Sequence, residues 1–302
     1  MDLVSAGESI IDFIPVLPWK YEARFGGSPM NTAVAAARLG LKVGVLTAVG
    51  KDPFGKYIVK TLEKYGVDVS RVRRLPLRTT LAFVYEEEGE TEFFFYRRPW
   101  TLTADTELKL SREDVEYVLK SRIFHFTGFA LSQGSLRDSI YEIIEEVRGK
   151  VLVSFDPTFR IDVWKSIEEA RKSFQKALDS VNILLATLKE YKVLFNTVDL
   201  HEIFEKSKEF KIVGIKMGSK GAIIYSNGEA YEMAVYDVPV RSTVGAGDAW
   251  NAGVLYGVVN GLNLKDILRI SNAVASLKCR RIGAIEGLPT ICLLYTSDAA
   301  DE

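Results

Sequence analysis

Short apolar segments alternate with amphipathic helical segments along most of the 302-residue chain. Strand–helix alternation at this spacing is typical of a mostly parallel sheet with helices on both faces, so the sequence predicts an α/β fold. The predicted strands are residues 3–7, 43–49, 123–126, 151–155 and 183–185, and the predicted helices are residues 29–39, 53–65, 111–119, 136–147 and 168–178.

Two segments depart from this alternation. Residues 79–85 and 91–96 are rich in β-branched and aromatic side chains, and the acidic run between them predicts an antiparallel hairpin. A second hairpin is expected at 221–225 and 230–235, because Asn227-Gly228 favours a type I′ turn. Since two strands alone are marginally stable, we expect the first hairpin to pair with residues 13–25 as a lid over a site.

The composition excludes several classes of protein. The chain is 47% hydrophobic with a net charge of −1, which predicts a large core and argues against a nucleic acid or an anionic membrane bound on a basic face. Two cysteines without a His/Cys cluster predict neither a disulfide framework nor a zinc site. The start has no signal-peptide pattern and no run of 18 apolar residues occurs, so we expect a cytoplasmic protein.

The segment Thr-Val-Gly-Ala-Gly-Asp at 243–248 lies directly before an alanine-rich helical stretch. Small residues at a helix start let backbone N–H groups point at an anion, and the helix dipole favours negative charge there. Asp248 could simply cap the helix, but capping does not explain Gly245, Ala246 and Gly247 ahead of it. A carboxylate beside an anion-binding loop suits phosphoryl transfer, because it can take a proton from the attacking hydroxyl.

A second glycine-rich segment, Gly-Gly-Ser-Pro-Met-Asn at 26–31, precedes another alanine-rich stretch. Paired glycines let a ligand approach the backbone, and Asn31 offers a donor and an acceptor to sugar hydroxyls, although a turn with a helix cap would explain the same residues. Asp12 follows the first predicted strand, and α/β sheets bind ligands at the carboxyl ends of their strands.

Together these segments resemble the PfkB, or ribokinase-like, carbohydrate kinases from Gly7 to Thr290. One family signature is matched by Gly26, Gly27, Asn31, Ala33, Gly40 and Gly50, and the other by residues 242–248. Residues 79–83, 95–99, 156–164 and 283–290 are most similar to fructokinases. The resemblance implies a ribokinase-like three-layer fold with a mostly parallel central sheet, flanking helices and a small β lid at about 13–25 and 79–98.

The resemblance also implies roles in sugar phosphorylation. Asp248 would be the general base for the sugar hydroxyl, beside an anion hole built from the amides of Gly245, Ala246 and Gly247. Residues that would hold sugar hydroxyls are Asp12, Gly27 and Asn31. Arg97 and Arg160 would face the open end of the sugar site, where related 2-keto-3-deoxygluconate kinases bind a carboxylate.

A second set of matching residues implies an ATP and Mg²⁺ site. The residues that would contact ATP are Thr187, Lys216, Gly218, Gly221 and Asn272, with Asn272 near the adenine. Glu190 would act on hydrated Mg²⁺ through water.

Three positions depart from the family pattern. Ser242 stands where an Asp is usual, in a segment that often helps to build a monovalent-cation site, so the sequence leaves K⁺ dependence open. Thr187 and Thr158 each stand where an Asn is common. None of the three removes the base or the anion hole.

The last residues differ in character from the rest of the chain. Residues 292–302, CLLYTSDAADE, show no periodicity and no docking face, and they resemble a translated sequencing adaptor. We therefore expect a kinase domain at 1–290, a non-native tail at 291–302 and a truncated natural C-terminus.

The leading hypothesis is ATP-dependent phosphorylation of fructose to fructose 6-phosphate by a homodimer. The alternatives are 2-keto-3-deoxygluconate kinase or another PfkB sugar or nucleoside kinase. An inactive sugar- or nucleotide-binding regulator is also conceivable, but it would have lost the base or the loop glycines, and Asp248, Gly245 and Gly247 are present.

Overall fold

A computed structural model describes residues 1–87 and 90–298 of the chain. Its strands are β1 (Leu3–Ala6), β2 (Ile10–Leu17), β3 (Lys20–Gly26), β4 (Val43–Leu46), β5 (Ala48–Gly50), β6 (Arg73–Leu75), β7 (Thr80–Glu87), β8 (Glu90–Tyr96), β9 (Ile123–Thr127), β10 (Leu152–Asp156), β11 (Ile183–Thr187), β12 (Ile212–Lys216), β13 (Ala222–Ser226) and β14 (Glu229–Met233). Its α-helices are α1 (Ser28–Arg38), α2 (Pro53–Lys64), α3 (Arg112–Leu119), α4 (Gly134–Val147), α5 (Ile167–Leu178), α6 (Leu188–Phe195), α7 (Leu200–Lys206), α8 (Ala246–Val259), α9 (Leu264–Lys278) and α10 (Ile291–Asp298).

The central sheet has eight strands in the order β14-β13-β12-β11-β10-β9-β1-β4. Neighbouring strands from β4 to β12 run parallel, and β13 and β14 add an antiparallel hairpin at one edge. Asn227 and Gly228 turn that hairpin with φ of 49° and 86°, the left-handed values that a type I′ turn requires. The predicted mostly parallel sheet and its edge hairpin are confirmed.

Hydrophobic cores lie on both faces of the sheet. Strand β1 shows why: Val4 and Ala6 pack into one core and Leu3 into the other, as alternation along a strand requires. Helices α3 to α7 contribute to the first core, and α1, α2, α8 and α9 to the second. These three layers confirm the predicted fold class. Within the described residues, no helix has both the length and the apolar character that crossing a membrane requires.

A separate four-stranded sheet forms the lid, in the order β3-β2-β7-β8. It contains the predicted hairpin, and β7 pairs in parallel with residues 10–13 of β2. Only Phe13 of the predicted segment 13–25 pairs with the hairpin, and the rest of that segment joins the sheet through the pairing of β2 with β3. Alternation places Phe93 and Phe95 on one face and Phe94 and Tyr96 on the other. Residues 88 and 89 of the acidic turn lie outside the described residues.

The prediction of one continuous strand at 43–49 is wrong, because the chain divides there into β4 and β5. Thr47 separates the two strands, and its hydroxyl donates to the Gly7 carbonyl at 2.7 Å. Strand β5 then leaves the central sheet and pairs with β6. This bond fixes the turn at the carboxyl end of β1, next to the predicted site.

The tail also differs from the sequence-based expectation. Residues Ile291–Asp298 form α10, and Leu294 is buried in the second core, so the expectation of no docking face is wrong for this residue. Its origin as a non-native sequence stays a prediction. Residues 299–302 lie outside the described residues.

Candidate active site

The amino-terminal turns of α1 and α8 meet at Asp248. The Ser28 hydroxyl donates to Asp248 Oδ1 at 2.7 Å, and Asn31 Nδ2 donates to Asp248 Oδ2 at 2.8 Å. Gly27 caps α1 with φ of 100°, and a Cβ there would lie 2.5 Å from the Glu8 carbonyl oxygen. Glycine is therefore required at 27 to bring α1 close enough to hold the carboxylate.

Asp248 is the third residue of α8, and the cap position belongs to Gly245. Both carboxylate oxygens accept hydrogen bonds from α1, so capping does not account for this residue. Burial raises the pKa of Asp248, and the bonds from Ser28 and Asn31 oppose that rise. A partly buried carboxylate with a raised pKa is suited to accept a proton from a bound hydroxyl.

The loop before α8 is tightly packed. Gly245 has φ of 78°, and a Cβ there would lie 2.8 Å from Ala284, so only glycine fits. The Ala246 amide donates to the Thr243 carbonyl at 3.0 Å and closes the turn. The structure therefore places the Ala246 amide inside the turn, whereas the sequence predicted that all three amides from Gly245 to Gly247 face an anion.

Asp12 is on the lid strand β2 and lies close to Asp248. It fills the space beneath Gly26, where a Cβ would lie 2.2 Å from Asp12 Oδ2. Burial and the nearby Asp248 carboxylate raise the pKa of Asp12 to about 7, and Arg160 opposes the rise. Asp12, Gly27 and Asn31, which are the residues predicted to hold sugar hydroxyls, therefore all lie around Asp248.

Arg160 lies under the lid. Its guanidinium is 5.0 Å from the centre of the Phe93 ring and donates to the Phe159 carbonyl at 2.8 Å. Its charge also lowers the pKa of Asp12, so the structure brings Arg160 near the residues predicted to bind the sugar, and its contact with a sugar stays a prediction.

The structure places Arg97 elsewhere. It is fully buried, donates to Asp105 Oδ2 at 3.1 Å and to the Ser132 hydroxyl at 3.0 Å, and packs 4.3 Å from the centre of the Phe129 ring. The prediction that Arg97 faces the open end of the sugar site is wrong. Burial of a guanidinium is costly unless a carboxylate pairs with it, and Asp105 is that carboxylate.

A buried polar network adjoins the base. Lys216 Nζ donates to Asp156 Oδ2 at 2.6 Å and to Asn251 Oδ1 at 3.2 Å. Burial would lower the pKa of Lys216, but the carboxylates of Asp156 and Glu190 raise it, so the ammonium stays charged. A Cβ on Gly247 would lie 3.7 Å from Lys216 Nζ, which places this cation beside the loop at 243–247, and its contact with ATP stays a prediction.

Glu190 and Thr187 form a capping box at the start of α6. Glu190 Oε2 accepts from the Thr187 amide at 2.8 Å, and Oε1 accepts from the Phe159 amide at 3.0 Å. Burial raises the pKa of Glu190, and the neighbouring Asp156 adds to the rise. Both residues therefore have structural partners of their own, which leaves their predicted contacts with ATP and hydrated Mg²⁺ untested.

The predicted nucleotide loop follows β12. Gly218 is exposed with φ of 61° and open space where a Cβ would be. Gly221 has φ of 100°, and a Cβ would lie 2.0 Å from the Met233 carbonyl oxygen. Gly221 is thus required for the loop to pack against β14, and Gly218 presents the exposed backbone that a phosphate or ribose contact needs.

Asn272, which was predicted to lie near the adenine, has structural partners of its own. Its side-chain amide donates to the carbonyls of Met233 and Ala234, both at 3.0 Å, and its oxygen accepts from Trp250 Nε1 at 2.8 Å. The side chain is buried and joins α8, α9 and the end of β14. These bonds use its polar atoms within the protein, and its predicted place near the adenine stays a prediction.

The sequence profile of the pfkB family of carbohydrate kinases matches residues 1–291. The chain belongs to this family. It is a phosphotransferase that acts on a sugar hydroxyl.

Curated relatives of this PfkB kinase cover nearly its whole length. ATP-dependent 6-phosphofructokinase of Thermoanaerobacterium thermosaccharolyticum is 27% identical over 96% of this chain and 91% of its own length. 5-Dehydro-2-deoxygluconokinase of Clostridium beijerinckii is 28% identical, with the same two coverages of 96% and 91%. Probable fructokinase-4 of Arabidopsis thaliana is 28% identical over 95% of this chain and 94% of its own.

Solved structures share the fold. Fructokinase from Vibrio cholerae O395 with fructose, ADP and calcium ion is 27% identical, with a TM-score of 0.86 over 98% of both chains. A double mutant of that fructokinase, with fructose, ADP and potassium ion, is 26% identical, with a TM-score of 0.87 over 98% of this chain and 97% of its own. A sugar kinase from Pyrococcus horikoshii with ATP is 28% identical, with a TM-score of 0.85 over 99% of both chains.

Sequence reasoning assigned no role to Ser28, Asn251 or Asp156, although all three lie in the site of this PfkB kinase. Asn251 Nδ2 donates to Asp156 Oδ2 at 2.5 Å and is completely buried. An amide side chain three residues after the base, on an otherwise apolar helix, was the available signal for Asn251. Ser28 had no comparable signal, because its partner is 220 residues away.

The two arginines differ in a way that a pair of matched variants can show. Arg97→Met leaves Asp105 buried and uncompensated, so we expect a loss of about 3–5 kcal/mol in the free energy of unfolding. Arg160→Met removes a partly exposed guanidinium, so we expect an unchanged melting temperature and a higher KM for the sugar. Chemical denaturation and steady-state kinetics of both variants check this, and equal stability of the two would contradict the assignment.

Proposed function

We propose that this kinase transfers the γ-phosphate of ATP to fructose and forms fructose 6-phosphate. The observation that supports a substrate with several hydroxyl groups is the environment of the Asn31 side chain. Its Oδ1 is buried and has no hydrogen-bond partner among the described residues, while its Nδ2 holds the Asp248 carboxylate. Buried polar atoms are nearly always paired, so an unpaired acceptor beside the base supports a ligand hydroxyl as its partner.

The mechanism follows from the charges around Asp248. A sugar hydroxyl beside this carboxylate loses its proton to it as the hydroxyl oxygen attacks the γ-phosphorus. The new O–P bond forms while the bond to the β,γ-bridging oxygen breaks, and ADP leaves. The amides of Gly245 and Gly247, the positive end of α8 and the Lys216 ammonium would stabilise the charge that develops on the phosphoryl oxygens.

Mg²⁺ fits this site as an ion carried by the nucleotide. Among the described residues, no group of three or more His, Cys, Asp or Glu side chains could hold a metal. In kinases Mg²⁺ keeps several waters and uses one or two carboxylates with substrate phosphates. Asp156 and Glu190 are the carboxylates that would meet it through water, and the bound ion would neutralise phosphate charge.

The charge at the rim supports a neutral sugar over an acid sugar. A carboxylate substrate gains most from a bidentate cationic clamp, but the burial of Arg97 leaves Arg160 as the predicted arginine at the rim. Arg24 pairs with Glu22 and lies 3.5 Å from Glu286, so its charge is already compensated. Because Arg160 is a cation that a substrate carboxylate can pair with, 2-keto-3-deoxygluconate stays the second candidate.

A side-by-side assay of ADP release tests the substrate. We expect kcat/KM for fructose to exceed that for 2-keto-3-deoxygluconate by at least about tenfold, which is about 1.4 kcal/mol in transition-state binding. Ribose, adenosine and fructose phosphates serve as further acceptors in the same assay. A higher kcat/KM for 2-keto-3-deoxygluconate would move the chain to the keto-acid kinases.

We also propose that two copies associate through the outer face of the lid. Phe83 stacks on Phe13 at 4.8 Å and on Phe94 at 5.1 Å, which makes a row of rings along that face. Phe94 and Tyr96 are 40% and 55% exposed. A contiguous aromatic surface of this kind is typical of interfaces, and a two-fold axis would place it against itself.

Light scattering after gel filtration tests this association. At micromolar concentration we expect a dimer for the wild type and a monomer for Phe94→Asp, because a buried unpaired carboxylate opposes the contact. Val198→Asp is the matched control, since Val198 is 54% exposed outside the lid and its variant should stay dimeric. A monomeric wild type, or a dimeric Phe94→Asp protein, would contradict the proposal.

A further inference from the structure

We infer that the Lys278 ammonium takes the place of a monovalent cation behind the phosphate-binding loop, so that this kinase works without K⁺. The inference rests on the proposed phosphoryl transfer at Asp248. It concerns a residue that neither the base, the sugar site nor the nucleotide loop uses.

Lys278 is the last residue of α9, and its side chain is completely buried. Its Nζ donates to the backbone carbonyl of Ser242 at 3.0 Å. Ser242 directly precedes the loop at 243–247 that leads into the base. The ammonium is therefore fixed at the start of the anion-binding loop, on the protein side.

Close backbone contacts hold this arrangement in place. The amides of Arg241 and Ser242 both donate to the Cys279 carbonyl, at 2.8 and 3.2 Å. A Cβ on Gly287 would lie 2.2 Å from the Lys278 carbonyl oxygen, so the segment after α9 passes directly over the end of the helix. The same segment carries Ala284, which packs against Gly245, and thus joins the lysine to the loop.

The charge on Lys278 persists in spite of its burial. Burial lowers the pKa of Lys278 to about 8, while Asp248 and Glu286 oppose the fall. The hydrogen bond to the Ser242 carbonyl and these nearby carboxylates favour the charged form. A buried cation bonded to a carbonyl oxygen has the chemistry of a bound potassium ion, which also replaces its water with carbonyl ligands.

The fit to a resident K⁺ is correspondingly poor. A serine stands at 242, so the position has no side-chain carboxylate to offer, and the Ser242 carbonyl already accepts from Lys278. A fixed positive charge here would stabilise the loop and the phosphoryl charge that it binds without the need to bind an ion first. The related Vibrio cholerae double mutant, by contrast, holds a potassium ion.

The test compares cations at constant ionic strength. For the wild type, melting temperature and initial rate should be the same in KCl and in choline chloride, with the rate within about twofold, because the charge is covalently attached. Lys278→Ala makes room for an ion, so its kcat in choline chloride should fall by roughly tenfold or more. KCl or NH₄Cl should then restore part of the rate and raise the melting temperature of this variant specifically.

Two control variants separate charge from packing. Lys278→Met fills the space without a charge, so it should lose activity and respond to neither cation. Lys265→Met removes an exposed lysine from the same helix and should behave as the wild type.

Three results would overturn the inference: strong K⁺ activation of the wild type, a normal rate of Lys278→Ala in choline, or a folded Lys278→Ala protein that no cation restores. If Lys278→Ala does not fold, the inference is tested by the wild-type rates in KCl and in choline chloride and by the activity of Lys278→Met. The melting comparison needs no sugar, so it also decides if fructose proves not to be the substrate.

Discussion

The site depends on one carboxylate held between two helices. Asp248 accepts hydrogen bonds from Ser28 and Asn31, which lie 220 and 217 residues away in sequence. These bonds fix both oxygens of the base and join α1 to α8 on one face of the sheet. Asp12 and the Lys216–Asp156 pair lie around the same point, so burial, together with the neighbouring charges and hydrogen bonds, shifts the pKa values of Asp12, Lys216 and Asp248.

The glycine-rich parts of the site could be predicted from the sequence. Gly27 and Gly245 have positive φ, and a Cβ at either would collide with the backbone, so no other residue serves there. Such positions leave a local signal, since glycines stand before helices whose first turns carry Asn31 and Asp248. The strand–helix alternation similarly predicted the three layers, because each strand must bury both of its faces.

Side chains whose roles depend on distant partners could not be predicted from the sequence. Arg97 and Arg160 are both arginines near aromatic residues, but Asp105 draws the first into the core and leaves the second at the rim. Asn272 and Lys278 lie on the same helix, α9, and each bonds to backbone carbonyls that only the tertiary fold brings near. The sequence shows the type of each residue and the periodicity of its segment, but the role of these side chains depends on partners that only the tertiary structure brings near.

The most direct measurement of the central claim is the turnover of Asp248→Asn beside that of Asp266→Asn. Both aspartates are the third residue of their helices, α8 and α9. Comparing the two variants therefore distinguishes the loss of a general base from the loss of a favourable negative charge at a helix start. We expect kcat of Asp248→Asn to fall by about 10²–10⁴-fold at an unchanged melting temperature, because an amide cannot take the proton. Asp266→Asn should turn over as the wild type does. Wild-type turnover by Asp248→Asn would contradict the account.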